Sequence, residues 1–157
     1  MDKSRSSPAS APQAASQLLD QQLCFAIYST MLGLNKVYRR LLKGLGLTYP
    51  QYLVMLVLWE HGDLTVSAIG EKVFLDSPTL TPLLKRLEVA GLVTRLRSGS
   101  DERQVVVSLT PTGRRLQARA KDVPGCVAAA MECSTQEIDV LRERLTGLRS
   151  VLLKNAG

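Results

Sequence analysis

The period of the apolar residues changes at Gly91, and this change constrains the fold more than any other feature of the chain. Before it, Asp76 to Gly91 reads as one helix. Leu80, Leu83, Leu84 and Leu87 fall at i, i+3, i+4 and i+7 and make one buried face. Ser77, Thr79, Thr81, Lys85 and Arg86 lie opposite, so hydroxyls and cations face outward. Ser77 is expected to cap the N-terminus with Pro78 at the first helical position, and Gly91 suits the position just past the last turn. Pro82 is a difficulty, because an interior proline costs a helix about 3 kcal/mol. Either the helix bends near its start or it begins at Thr81. After Gly91, Leu92–Leu96 and Val105–Leu109 are short β-rich runs. A charged loop, Arg97–Gln104, with one glycine separates them.

A second short helix, Val66–Val73 capped by Thr65, precedes the first and is joined to it through Phe74-Leu75-Asp76. Two short helices with a tight turn make a helix-turn-helix, and the hairpin that follows becomes its wing. In such modules the second helix enters the major groove, while the wing reaches phosphates or the adjacent minor groove. Arg103 is the candidate for insertion, with Asp101 expected to hold its guanidinium in place.

Both flanks are helical. Leu18 to about Leu45 carries a seam of Cys24, Ile27, Met31, Leu34, Tyr38, Leu41 and Leu45, spaced in alternating steps of three and four. Thr48 and Gln51 form a capping box for a helix running to about His61. Thr110-Pro111 opens another helix, which runs by Leu116 and Ala120 toward Val123. Pro124-Gly125 is expected to interrupt it, and Cys126–Cys133 continues as small apolar residues. Ser134–Glu137 is a capping box for the last helix, where Ile138, Leu141, Leu145, Leu148 and Leu152 form a further seam. A lone winged helix does not need these terminal helices. Their apolar faces imply a homodimer, with two recognition helices about one DNA turn apart on a near-palindromic site. The expected fold is mostly α with a small β-hairpin: a winged helix-turn-helix at 48–110, an N-terminal dimerisation helix at 18–47 and C-terminal dimerisation helices at 111–157. A Ser-, Ala-, Pro- and Gln-rich tail at 1–17 is expected to be disordered.

A net charge of +6 over 157 residues favours a polyanionic partner. No apolar run approaches the ~18 residues of a membrane span, and Met1 to Gln17 has no signal-peptide apolar segment. A cytoplasmic protein with reduced thiols and no membrane partner is expected. Three cysteines without a CxxC, and one histidine, argue against a metal; no cofactor is expected. His61, at a helix C-terminus, reads as a dipole-compensating surface residue rather than a catalyst.

The order helix, helix, helix-turn-helix, wing, two helices resembles the MarR family of dimeric winged-helix transcription regulators over about residues 18–154. The runs Leu19–Ser29, Leu47–Glu60, Leu75–Ser77, Thr79–Leu87 and Asp101–Val105 are similar to its organic-hydroperoxide-sensing (OhrR-type) branch. The resemblance implies a repressor whose reduced dimer binds operator DNA and is released by peroxide. It assigns the reactive thiol to Cys24 and the stabilisation of its thiolate and sulfenate to Tyr38 and Tyr49. The DNA contacts it implies are Ser77, Thr79, Thr81, Lys85, Arg86, Asp101 and Arg103. It also keeps Pro82 inside a recognition helix that starts near Ser77. In part of this branch a second cysteine from the partner subunit closes a disulfide. Cys126 and Cys133 are the candidates, and Cys126 is preferred because a Pro-Gly break would let its backbone yield.

By the helix stripe alone, Cys24 is a small buried hydrophobe. Cys24 and Tyr38 are 14 residues apart on one helix, a rise of about 21 Å at ~1.5 Å per residue. If Tyr38 meets a Cys24 at all, it is therefore the Cys24 of a partner. Three other readings are a regulator released by a small aromatic ligand, with Cys24 structural, a thiol peroxidase, and a helical scaffold protein that binds no nucleic acid. The second lacks a catalytic His or Arg beside Cys24, so an enzyme is not expected.

Overall fold

A computed structural model describes residues 17–157; all but the last residue of the expected tail lies outside them. The chain forms two compact units, one ending at Leu34 and the other spanning Asn35–Gly157. The first holds a 3-10 turn, Leu19–Gln21, and the start of helix α1, Leu23–Leu42. Leu23, Ile27, Tyr28, Met31 and Leu32 of that helix are all exposed.

The second unit contains the end of α1 and then α2 (Tyr49–His61), β1 (Leu64–Thr65), α3 (Val66–Val73) and α4 (Ser77–Val89). There follow β2 (Val93–Arg97), β3 (Val105–Leu109), α5 (Pro111–Ala120), α6 (Val123–Met131) and α7 (Thr135–Asn155). The fold is mostly helical, as the periodicities predict. Local chemistry sets the boundaries. Thr48 and Gln51 close the expected capping box on α2, and Ser134 and Glu137 close the one on α7. Thr65 caps α3 and Thr110 caps α5, each accepting the backbone N–H three residues on.

The sheet has three strands rather than the expected two, in the order β1-β3-β2, all antiparallel. Leu64 and Thr65 pair with Val107 and Val106. Two residues carry no period of their own, so β1 is set by its partner strand and not by local sequence. Beneath the sheet the core gathers Leu42, Met55, Leu58, Ile69, Leu84 and Val107, all fully buried.

Two local expectations are corrected and a third is borne out. The α4 cap is Asp76, not Ser77: its Oδ1 accepts the Thr79 N–H at 2.9 Å, which places Ser77 and Pro78 inside the first turn. A carboxylate one residue earlier reaches the same orphan donor and suits the positive end of the helix. Pro82 lies within α4, as the resemblance implies, and the helix does not begin at Thr81. Pro124 does not break a helix but sits in the first turn of a new one, α6, where a missing N–H is harmless.

At its far end α4 closes with a Schellman motif. Gly91, at φ +72°, donates to the Glu88 carbonyl and Leu92 donates to that of Leu87. α5 then returns to this corner. Thr110 Oγ1 donates to the Gly91 carbonyl at 2.6 Å, and Thr110 N–H donates to that of Leu92 at 3.1 Å. Gly113 packs so close that a Cβ there would collide with the Leu92 carbonyl oxygen.

α7 has no buried residue. Its apolar side chains Leu141, Leu145, Val151 and Leu152 are each about half exposed. Among the described residues, no single helix is long and apolar enough to cross a membrane.

Gly113→Ala is expected to destabilise the fold by about 3 kcal/mol or more, because backbone rather than a flexible side chain must move. Gly125→Ala in α6, with nothing within 4 Å of the added Cβ, should be neutral or stabilising by about 0.5–1 kcal/mol. Thermal melts of the two variants check the contrast.

Candidate functional site

The outward face of α4 is as expected. Ser77, Thr79, Lys85 and Arg86 are exposed and Thr81 is half-buried, while Leu80, Leu84 and Leu87 are buried beneath them. Hydrogen bonds from Thr79 hold the Asp76 carboxyl below the usual carboxylate range. The cap thus stays anionic at neutral pH, where it fixes the first turn.

The wing tip, residues 98–104, is a tight turn closed by Ser98 N–H donating to the Gln104 carbonyl at 2.8 Å and Gln104 N–H to that of Asp101 at 2.9 Å. Asp101 does not hold the Arg103 guanidinium. Its Oδ1 accepts the Arg103 backbone N–H at 3.0 Å, because residues 101–103 form a turn and not a strand. The carboxylate therefore shapes the tip and leaves the Arg103 side chain exposed.

An ion pair that no sequence pattern marks ties wing to helix. Arg95 on β2 donates from Nε and Nη2 to Glu88 Oε2 of α4, at 2.9 and 2.8 Å, and its backbone N–H donates to Oε1 at 3.2 Å. Arg95 holds the Glu88 carboxyl below its ordinary range. The two residues are seven apart across the turn at Gly91, where helical and strand periods both break off.

Three of the four tyrosines form a cluster in the second unit. Tyr38 of α1 stacks on Tyr49 of α2 with ring centroids 4.0 Å apart. Tyr52 lies 6.1 Å from Tyr38, and Trp59 meets Tyr52 edge-on at 6.3 Å. Burial first, and then the neighbouring Tyr49, push the Tyr38 hydroxyl well above the ordinary tyrosine range. Burial also raises Tyr52. Both hydroxyls are therefore neutral at physiological pH and able to donate. In the sequence, Tyr52 and Trp59 stand out only as apolar members of a helix face.

Cys24 lies in the first turn of α1 and is exposed, not buried as its stripe suggests. α1 is unbroken from Leu23 to Leu42, so the 14-residue rise from Cys24 to Tyr38 runs along a single helix. Cys126 and Cys133 are also exposed and reduced. Cys126 is not at a yielding break. It lies in the first turn of α6, and its N–H donates to the Asp122 carbonyl at 3.0 Å. Cys133 sits in the joint between α6 and α7, after Glu132 at φ +51°, and its Sγ lies 3.2 Å from the Met131 carbonyl.

Residues 36–119 match the model of a family described as transcriptional regulator SarA/Rot. The chain is 46% identical over 134 residues to an organic hydroperoxide resistance transcriptional regulator of Bacillus subtilis, which covers 85% of this chain and 91% of the relative. Among solved structures it resembles reduced AbfR bound to DNA, with a TM-score of 0.78 and 36% identity over 88% of this chain and 95% of that one. The disulfide-formed state of AbfR, a Staphylococcus epidermidis protein, matches with a TM-score of 0.59 and 38% identity over 87% and 90% of the two chains.

Glu88→Ala should speed hydrogen exchange at the Arg95 amide and along β2, whereas Glu102→Ala at the wing tip should not. Because the Glu88 carboxyl is lowered in the native state, the clamp is complete above the ordinary value of 4.5. It is lost as pH falls through the lowered one. Amide exchange followed by NMR across that range tests both effects.

Proposed function

The chain belongs to the SarA/Rot family of transcriptional regulators, MarR-like winged-helix proteins, and on that premise we propose that it is a homodimeric, peroxide-responsive repressor acting in the cytoplasm. The observation that carries this is one chain holding both parts: a recognition helix clamped to a wing, and an exposed Cys24 together with a pair of stacked tyrosines.

In this reading Ser77, Thr79, Thr81, Lys85 and Arg86 face the major groove, and Arg103 reaches from the wing with Asp101 shaping its turn. The exposed faces of α1 and α7 make the dimer interface, consistent with segments 18–47 and 111–157 as dimerisation regions around the DNA-binding segment 48–110. Tyr38 and Tyr49 of the partner subunit donate hydrogen bonds to the Cys24 thiolate and lower the energy of its charge.

The Cys24 sulfur attacks the distal oxygen of the peroxide, and the O–O bond breaks. The sulfur becomes a sulfenic acid, oxidised by two electrons, and the peroxide leaves as an alcohol or as water after taking a proton. A second thiol, Cys126 or Cys133 of the partner subunit, then attacks the sulfenic sulfur, which forms the disulfide and releases water. The two differ in setting: Cys126 is held in the first turn of α6, and Cys133 lies in the α6–α7 joint. Either bond requires Cα atoms within about 7 Å, so the half-sites shift and the operator is released. This is stoichiometric sensing by a regulator, not catalytic turnover.

A gel shift on the chain's own upstream DNA tests the proposal. Reduced protein should bind and peroxide should release it, with an intersubunit cross-link on a non-reducing gel. Cys24→Ser should bind DNA but ignore peroxide; release that persists in this variant overturns the redox reading. The serine variant at Cys126 or Cys133 that loses the cross-link identifies the second thiol. Arg103→Ala should weaken binding and make the slope of log K against log salt shallower by about 0.9, the value for one neutralised phosphate; unchanged binding removes the wing from the interface.

A further inference from the structure

We infer that Trp59 is a positioning residue that couples the sensing tyrosines to the DNA-reading head. Through Gly113 it links the Tyr38–Tyr49 pair to the carboxyl end of α4. This rests on the redox-sensing reading above and adds to it the route within each subunit.

The route is continuous and short. Tyr38 stacks on Tyr49 and lies against Tyr52, and Tyr52 meets the edge of Trp59. The Trp59 indole Nε1–H donates to the Gly113 carbonyl across 54 residues of sequence, at 3.0 Å. It is a part-buried hydrogen bond from the chain's only tryptophan.

Gly113 is held on both sides. Its carbonyl is taken by Trp59, and its N–H donates to Thr110 Oγ1 at 3.0 Å. That hydroxyl donates in turn to the Gly91 carbonyl. The Cα of Gly113 packs against the Leu92 carbonyl with no room for a methyl group. Gly91 and Leu92 are the residues that close α4 and begin the wing. Packing this tight does not absorb displacement by compression. A shift of Trp59 is therefore passed to the end of the recognition helix and the root of β2 together, which the Glu88–Arg95 pair already binds to each other.

The direction of control follows. Tyr38 and Tyr49 sense the partner's cysteine, while Trp59, Gly113 and α4 belong to the same subunit as those tyrosines. Oxidation of one subunit's Cys24 is thus read out first by the other subunit's recognition helix.

Trp59→Phe tests this, since it keeps an aromatic ring against Tyr52 and removes only the N–H. Reduced Trp59→Phe should bind operator about as tightly as wild type. Where peroxide weakens wild-type binding by a typical coupling of about 5- to 150-fold, the variant should lose less than about threefold, at the same yield of Cys24 disulfide. Release equal to wild type at equal disulfide yield overturns the inference and leaves the redox reading intact. Absence of peroxide release in the wild type overturns the redox reading itself. A second measurement needs no variant at Trp59. The emission of the single tryptophan should change when wild-type protein is oxidised and stay constant in Cys24→Ser treated alike. Unchanged emission on full oxidation of the wild type also overturns the inference.

Discussion

The corner where α5 returns to the end of α4 holds the DNA-reading half of the molecule together. Thr110 contributes a hydroxyl and an N–H and Gly113 a bare Cα, and these meet the carbonyls of Gly91 and Leu92, while the Gly113 N–H donates to the Thr110 hydroxyl. Each backbone carbonyl there needs a partner once it is turned away from water. The Schellman turn leaves the Gly91 carbonyl free of the helix, and Thr110 takes it. Helix, turn, wing root and returning helix are therefore fixed by one small set of bonds, and only glycine fits at position 113.

Much of what is set within a few residues is legible in the sequence. The caps at Thr48, Thr65, Thr110 and Ser134, the glycine past α4 and the change of period at Gly91 are all local, and the structure shows each of them. The failures are of two kinds. Where two local solutions compete, composition does not choose: Asp76 and Ser77 can both cap α4, and Pro124 can end one helix or begin another. Where the determinant is distant, there is no periodic signal. β1 exists because β3 lies beside it, Glu88 meets Arg95 across a turn, and Trp59 reaches Gly113 from another helix.

The candidate site divides in the same way. The polar face of α4 is legible because a helix separates its faces every 3.6 residues. The same rule misplaces Cys24. Its stripe is apolar, but the surface that would bury it lies outside a single chain, and the helix leaves it exposed. An apolar seam states that a face must be covered and does not say by what. Asp101 is misread for a related reason: a strand pattern carried into a turn overlooks that the carboxylate's nearest donor there is a backbone N–H.

The way the reading head is held bears on how such a regulator is switched. The head is tied by a bidentate ion pair, an anionic cap, a Schellman turn and the Thr110–Gly113 corner. Melting α4 to release DNA would break several of these at once and would expose Leu80, Leu84 and Leu87, each worth about 1.5–3 kcal/mol of burial. Displacing two intact heads relative to one another breaks none of them. It needs change along the exposed faces of α1 and α7 and at the α6–α7 joint, where Glu132 adopts a left-handed backbone. A rigid reader favours control by half-site spacing over control by local unfolding.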